Sequence, residues 1–163
     1  MLIHHKELVQ GDKIAFIPLT QGKVAIVDTE DWEFLMQWRW SFNTRYASHG
    51  CPKRILMHRI IAGTPEHLHT DHINGNTLDN RKENLRICAA SDNCKNRRQN
   101  ISHKSSKYKG VSWNKENNKW TAGIYINKKR VHLGYFYKEE DAAKTYNTNA
   151  LKYFKEYACL NHI

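Results

Sequence analysis

The sequence predicts an α+β fold assembled from small modules. Three observations predict it. The chain has 163 residues, 40% hydrophobic and 26% charged, which is short for one large core. Hairpin signals alternate with stretches of helical spacing, so strands and helices are mixed rather than segregated. The composition also shifts along the chain, from apolar and aromatic, to rich in His, Asn and Asp, to basic. These shifts divide it into an N-terminal α+β segment (1–57), a central strand–turn–strand–helix unit (58–100), a polar basic linker (101–107) and a C-terminal three-stranded antiparallel sheet packed on one helix (108–163).

In the first segment, Lys13 to Leu19 and Lys23 to Val27 flank the turn signal Gln21-Gly22, a β-hairpin pattern. Thr29 is placed as the N-cap of a helix through Trp38, because Trp32, Leu35, Met36 and Arg39 recur at helical spacing after Glu30 and Asp31. Trp32, Trp38 and Trp40 cluster as core residues would, with base stacking as the alternative use. The longest apolar run, Ile14 to Ile17, is too short to span a bilayer. No apolar stretch follows the first six residues, so no secretory signal is expected and a cytoplasmic setting is. Cys51, Cys88, Cys94 and Cys159 contain no C-x-x-C pair, which argues against a zinc ribbon and for free thiols.

The central unit places Asn74-Gly75-Asn76 as a turn between two short strands, and Ser91 as the cap of a helix bearing Asn93, Asn96 and Asn100. The chemistry concentrates here. Phosphodiester hydrolysis needs a base for water, a cation for the developing charge and fixed in-line geometry. His72 suits the base because its unperturbed pKa lies near neutrality. Asp71 points the opposite way on the strand. Asp71 and the amide oxygen of Asn93 are oxygen ligands of the kind a hard cation prefers. Asn84, on the second strand, is placed to hydrogen-bond His72 and orient its ring. His67, His69 and Asp71 alternate and offer a second metal reading, without a spaced fourth ligand.

Asp71-His72, Asn84 and Asn93 together resemble the HNH signature of the ββα-metal nucleases, closest to the phage homing endonucleases and their nicking members. Met57-His58-Arg59-Ile60-Ile61 and Asp79-Asn80-Arg81-Lys82-Glu83-Asn84-Leu85-Arg86 extend the resemblance. It implies His72 as general base, Asn84 as the orienting residue, and Asp71 and Asn93 as ligands of one divalent cation, Mg²⁺ or Mn²⁺. Asn96, one helical turn from Asn93, is the alternative ligand. The implied products are a 5′-phosphate and a 3′-hydroxyl.

The charge points to a polyanionic partner. Lys and Arg total 26 against 16 acids, a net of +10. From Lys95 to Arg130 eleven basic residues face the single acid Glu116, so this stretch holds the whole excess. In the C-terminal segment, strands are placed at Tyr108 to Trp113, Trp120 to Ile126 and Arg130 to Tyr137, with a helix from Lys138 to about Phe154. Ala143, Tyr146, Ala150 and Tyr153 form that helix's apolar stripe. Alternation turns Trp120, Ala122, Ile124, Ile126, Val131, Leu133 and Tyr135 inward. It leaves Ser112, Asn114, Thr121, Gly123, Tyr125, Arg130 and His132 outward, a polar and basic face suited to a major groove.

Tyr108-Lys109-Gly110-Val111, Lys119-Trp120-Thr121-Ala122-Gly123-Ile124, His132-Leu133-Gly134-Tyr135-Phe136 and Asp141-Ala142-Ala143 resemble the AP2 DNA-binding domain. The resemblance implies DNA contacts at Lys109, Ser112, Asn114, Gly123, Tyr125, Arg130 and His132. Ser112 and Asn114 stand where the family commonly has Arg, Gly123 where it has Glu and His132 where it has Trp, so its GC-rich target does not carry over. Arg97, Arg98 and Lys107 are placed on the DNA backbone. The expectation is a monomeric, metal-dependent DNA endonuclease that nicks double-stranded DNA, with no membrane partner and no other cofactor. A non-catalytic DNA-binding regulator on the same scaffold is the alternative.

Overall fold

A computed structural model describes residues 13–50, 52–96 and 105–163. Among these, four small antiparallel sheets and four α-helices form two units, one ending at Ala90 and the other beginning at Ser91.

The first unit begins with the expected hairpin. Strand β1 (Ile14–Pro18) pairs antiparallel with β2 (Val24–Asp28), and Gln21 and Gly22 turn the chain at φ 62° and 65°. Ala15, Ile17, Ala25 and Val27 fill one face and meet Leu35, Trp40 and Met57 in the core. Helix α1 runs Thr29–Leu35, not to Trp38. The indole of Trp40 donates to the Leu35 carbonyl at 2.8 Å, which gives that helix-end carbonyl a partner outside the helix. Thr29 is already helical, and Asp28 holds the cap position, where its carboxylate accepts the Lys82 N–H at 2.7 Å. The tryptophans are used in packing: Trp40 is buried, and Trp32 and Trp38 pack against the same core.

Strands β3 (Ser41–Asn43), β4 (Tyr46–His49) and β5 (Ile55–Leu56) make a second sheet, followed by α2 (Met57–Ile61). Strands β6 (His69–His72) and β7 (Leu85–Cys88) pair with Asp71 opposite Arg86 and His72 opposite Leu85. The loop between them docks on β2: the Ile26 N–H donates to the Leu78 carbonyl at 2.8 Å and the Asn80 N–H to the Ile26 carbonyl at 2.7 Å. The segment up to residue 57 thus shares a unit with the strands that follow it.

Helix α3 (Ala90–Asn96) starts one residue before Ser91, the expected cap. In the second unit, β8 (Val111–Asn114), β9 (Lys119–Ile126) and β10 (Lys129–Phe136) form a sheet in that order, against α4 (Glu139–Phe154). Ala142, Ala143, Tyr146, Ala150 and Phe154 are the buried residues of α4. Phe154, four residues after Ala150, takes the place expected of Tyr153, which is exposed. Gly110 has φ +77°, and a Cβ there would come within 2.8 Å of the Gly123 carbonyl besides striking the Tyr146 ring, so a side chain has no room. Asn161 closes the unit: it accepts from the Lys109 N–H at 2.6 Å, donates to the Lys109 carbonyl at 3.0 Å, and exchanges two bonds with Asn147.

One expectation for this sheet fails at a β-bulge. The β9–β10 register shifts between His132 and Gly134, so Leu133 is extra and the facing of the strand inverts beyond it. Tyr135 pairs with Thr121 on the outward face and is 48% exposed, whereas Phe136 turns in opposite Trp120.

Candidate active site

His72 ends β6, and the turn after it is built from its own side chains. The Gly75 N–H donates to the His72 carbonyl at 2.9 Å with Gly75 at φ 72°, and the Asn76 N–H donates to Asn74 Oδ1 at 2.8 Å. Asn74 Nδ2 reaches Asp79 Oδ2 at 2.8 Å, and Arg81 grips both Asp79 oxygens at 2.8 Å. Arg81, followed by the Asn74 bond, holds the buried Asp79 carboxyl below its ordinary pKa against the opposing effect of burial.

Asn84 belongs to this loop. Its Oδ1 accepts the Asn74 N–H at 2.9 Å and its Nδ2 donates to the Asp79 carbonyl at 2.7 Å. It is therefore not the residue that orients His72; both ends of its amide brace the turn. The ring partner is Asn80, fully buried, whose Oδ1 lies 3.1 Å from His72 Nε2. Asn80 Nδ2 faces the Leu78 carbonyl and Met57 Sδ, each at 3.4 Å, which assigns Oδ1 as the acceptor toward the ring. With Oδ1 turned to the ring, Nε2 is the nitrogen of His72 that donates. Burial lowers the His72 pKa, opposed by Asn80, Asp71 and Asp79, so the ring is neutral near pH 7.

Two more rings surround it. His58 of α2 meets His72 edge to face at 5.0 Å, and Tyr46 of β4 lies 5.0 Å from His58 and 6.1 Å from His72. His58 is 5% exposed and, chiefly through burial, has its pKa pushed down to about 3. Arg59 donates to the carbonyls of Leu68 (2.9 Å) and Pro65 (2.8 Å), which holds the loop after α2.

Asp71 is buried opposite Arg86, whose Nη2 lies 2.6 Å from its Oδ2. A buried carboxylate is an oxygen donor of the kind a hard divalent cation prefers. Asn93 and Asn96 sit half-buried on α3. β6 begins only at His69, so His67 does not share its strand face with Asp71, and no group of three or more His, Cys, Asp or Glu arranged for a metal occurs among the described residues.

In the second unit, the outward row carries Ser112, Asn114, Tyr125, Arg130 and His132 as expected, with Tyr125 67% exposed. Thr121 and Gly123 belong to the same row but are covered. His132 Nδ1 lies 3.2 Å from Thr121 Oγ1, and Arg130 lies so close over Gly123 that a Cβ there would sit 2.9 Å from Arg130 Nε. Lys109 departs from the expected face: its Nζ donates to the Lys95 carbonyl at 2.6 Å, and burial lowers its pKa. Lys107 is exposed beside the Tyr108 ring. Arg97 and Arg98 lie outside the described residues.

Sequence reasoning assigned no role to Asn80, Asp79, Tyr46 or Tyr135's outward position. The Asp79-Asn80-Arg81 run was visible, but its geometry depends on docking against β2. Gly134 inside a strand was a signal for the bulge.

A family profile described as HNH endonuclease matches residues 56–95, spanning α2 through α3. An uncharacterized HNH endonuclease of Acanthamoeba polyphaga mimivirus is 30% identical over 150 residues, 88% of this chain and 77% of that protein. The match runs along the chain on both sides of His72, and the chain belongs to the HNH endonuclease family and is a nuclease.

Proposed function

We propose that this nuclease nicks double-stranded DNA in the presence of Mg²⁺ or Mn²⁺, leaving a 5′-phosphate and a 3′-hydroxyl. The observation that carries the reading is the buried His72 ring at the end of β6, its Nε2 3.1 Å from Asn80 Oδ1. Nδ1 takes the proton from the attacking water, and Asn80 keeps the ring in the tautomer that can do so. Asp71 would hold the cation, with Asn93 as the amide ligand that the signature spacing assigns. When bound, the cation supplies positive charge for the phosphate and the leaving oxygen. Arg86 fixes the Asp71 carboxylate from the neighbouring strand.

The second unit is read as an AP2-like module that recognises DNA through the outward face of its sheet. That face carries Arg130, His132, Tyr125, Ser112 and Asn114 and no acid, and in sequence the chain's positive excess falls between residues 95 and 130. One base per chain fits a monomer that cuts one strand, acting in the cytoplasm that houses phage or mobile DNA.

The test is supercoiled plasmid with Mg²⁺ or Mn²⁺, with EDTA and His72→Ala as controls. Open-circular product that needs the metal and disappears in His72→Ala, while a gel shift persists, is the expected result. Prompt linear product would overturn nicking, and equal cleavage by His72→Ala would overturn the base.

A further inference from the structure

We infer that Lys109 is a positioning residue for metal-dependent cleavage: it ties helix α3, which carries the amide proposed as the cation's ligand, to the sheet read as the DNA-binding face. The inference rests on that reading of α3. With seven residues, α3 is too short to be stable by itself, and its last carbonyls have no partner within the helix. One of them is bonded from outside. Lys109 Nζ donates to the Lys95 carbonyl at 2.6 Å, across 14 positions of sequence. A cation at that end of a helix also suits the partial negative charge there. Asn93 stands two residues before Lys95, and Asn96 one after it.

The hold on α3 continues into the rest of its unit. Lys95 turns its own side chain over the Phe154 ring of α4, with Nζ 5.7 Å from the centroid, while bonding Asp92 at 2.5 Å. Lys109 is fixed in turn by Asn161, which accepts from its N–H, donates to its carbonyl and is itself bonded to Asn147 of α4. Strand β8 begins two residues later and carries Ser112 and Asn114 on the outward row. Lys95, Lys109, Phe154 and Asn161 all fall in the unit that begins at Ser91. Helix α3 is thus linked to α4 and to the sheet through Lys109. The lysine is half-buried with its ammonium on this carbonyl, so its removal should show at α3 and not in the salt dependence of DNA binding.

The experiment compares the full-length chain with Lys109→Met and Lys109→Leu, which keep an apolar stem and lose the donor. Two variants are used so that the comparison survives if one of them does not fold. Amide exchange is expected to quicken roughly 10-fold in α3 and to stay at wild-type rates in β8–β10. In EDTA, affinity for a duplex selected by the wild-type chain is expected to stay within about twofold, with an unchanged slope against salt. Loss of a phosphate contact would instead lower that slope by about one. In single-turnover nicking of supercoiled plasmid, the Mn²⁺ concentration at half-maximal rate is expected to rise roughly 5-fold or more. Unchanged exchange in α3 overturns the inference, as does a salt slope lowered by about one or an unchanged Mn²⁺ requirement. Exchange quickened throughout the sheet overturns it too, since Lys109 would then be a general support of the unit. Asn93→Ala and Asn96→Ala separate the two readings. If neither raises the Mn²⁺ requirement, α3 supplies no ligand and both readings fall. If one does while Lys109→Met and Lys109→Leu do not, only the inference at Lys109 falls.

Discussion

His72 and Asn80 are joined edge to amide at 3.1 Å, eight residues apart, inside a pocket where Asn80 has no solvent exposure at all. Removing the amide leaves a buried ring N–H without its acceptor, a cost of about 1–3 kcal/mol, and frees the tautomer. Asn80→Ala is expected to slow nicking roughly 10- to 100-fold, part of a general base's whole contribution. Single-turnover rates and urea unfolding check both effects, and a rate within twofold of wild type would remove Asn80 from the site.

His58 makes stability depend on pH. Its pKa is about 3 in the folded chain, lowered first by burial and then by His72 and Arg59, so the unfolded chain binds the extra proton as pH falls below 6.5. The stabilisation is full above pH 6.5 and is lost progressively toward pH 3, up to roughly 5 kcal/mol. Asp79, with a depressed pKa, adds its own loss only at lower pH. Urea unfolding at pH 7, 5.5 and 4.5 is expected to show a smaller decline for His58→Phe than for wild type, with the His72 contribution remaining in both. Parallel declines would mean that His58 is not the source.

Arg86 and Asp71 form a buried pair in which neither partner does well alone. Arg86→Ala strands the carboxylate and is expected to cost about 3 kcal/mol. Replacing both, as Arg86→Met with Asp71→Leu, is expected to recover most of that stability while cleavage stays lost. Circular-dichroism melts and the plasmid assay separate the two quantities; recovered cleavage in the double variant would rule out Asp71 as a ligand.

On the sheet face, Arg130 occupies the space that a side chain at residue 123 would need. Gly123→Ala is expected to displace the guanidinium, a flexible group, and so to change the melting temperature little. DNA affinity should fall about as much as in Arg130→Ala, roughly 1–3 kcal/mol if Arg130 contacts a base. Tyr135→Ala is expected to weaken binding as well, because the bulge places Tyr135 against His132 at 4.6 Å. Anisotropy titrations on duplexes selected by the wild-type chain measure all three, and full affinity in Tyr135→Ala would mean that the bulge has no bearing on recognition.

What could be read in advance was local. The hairpin at Gln21-Gly22, the turn at Asn74-Gly75-Asn76 and the stripe on α4 are decided within a few residues, and strand and helix bounds came within a few positions. His72 and Asp71 stood out because a turn and a strand end frame them. Asn84 was given the wrong partner because its amide is claimed by Asn74 and Asp79 in a loop whose path is set by Ile26, far away in sequence. The end of α1 depends on Trp40 reaching back to Leu35, and Tyr135 on a single extra residue. Alternation cannot foresee an insertion that reverses its own parity.

The clasp at Asn161 sets the timing of assembly in the second unit. It secures the backbone of Lys109, just before β8, by two bonds across 52 positions. A ribosome delivers β8 long before it delivers the residue that pins its entrance. The sheet can therefore pair early yet remain open to unzipping from its first strand, and Asn161→Ala is expected to leave that strand more open to limited proteolysis.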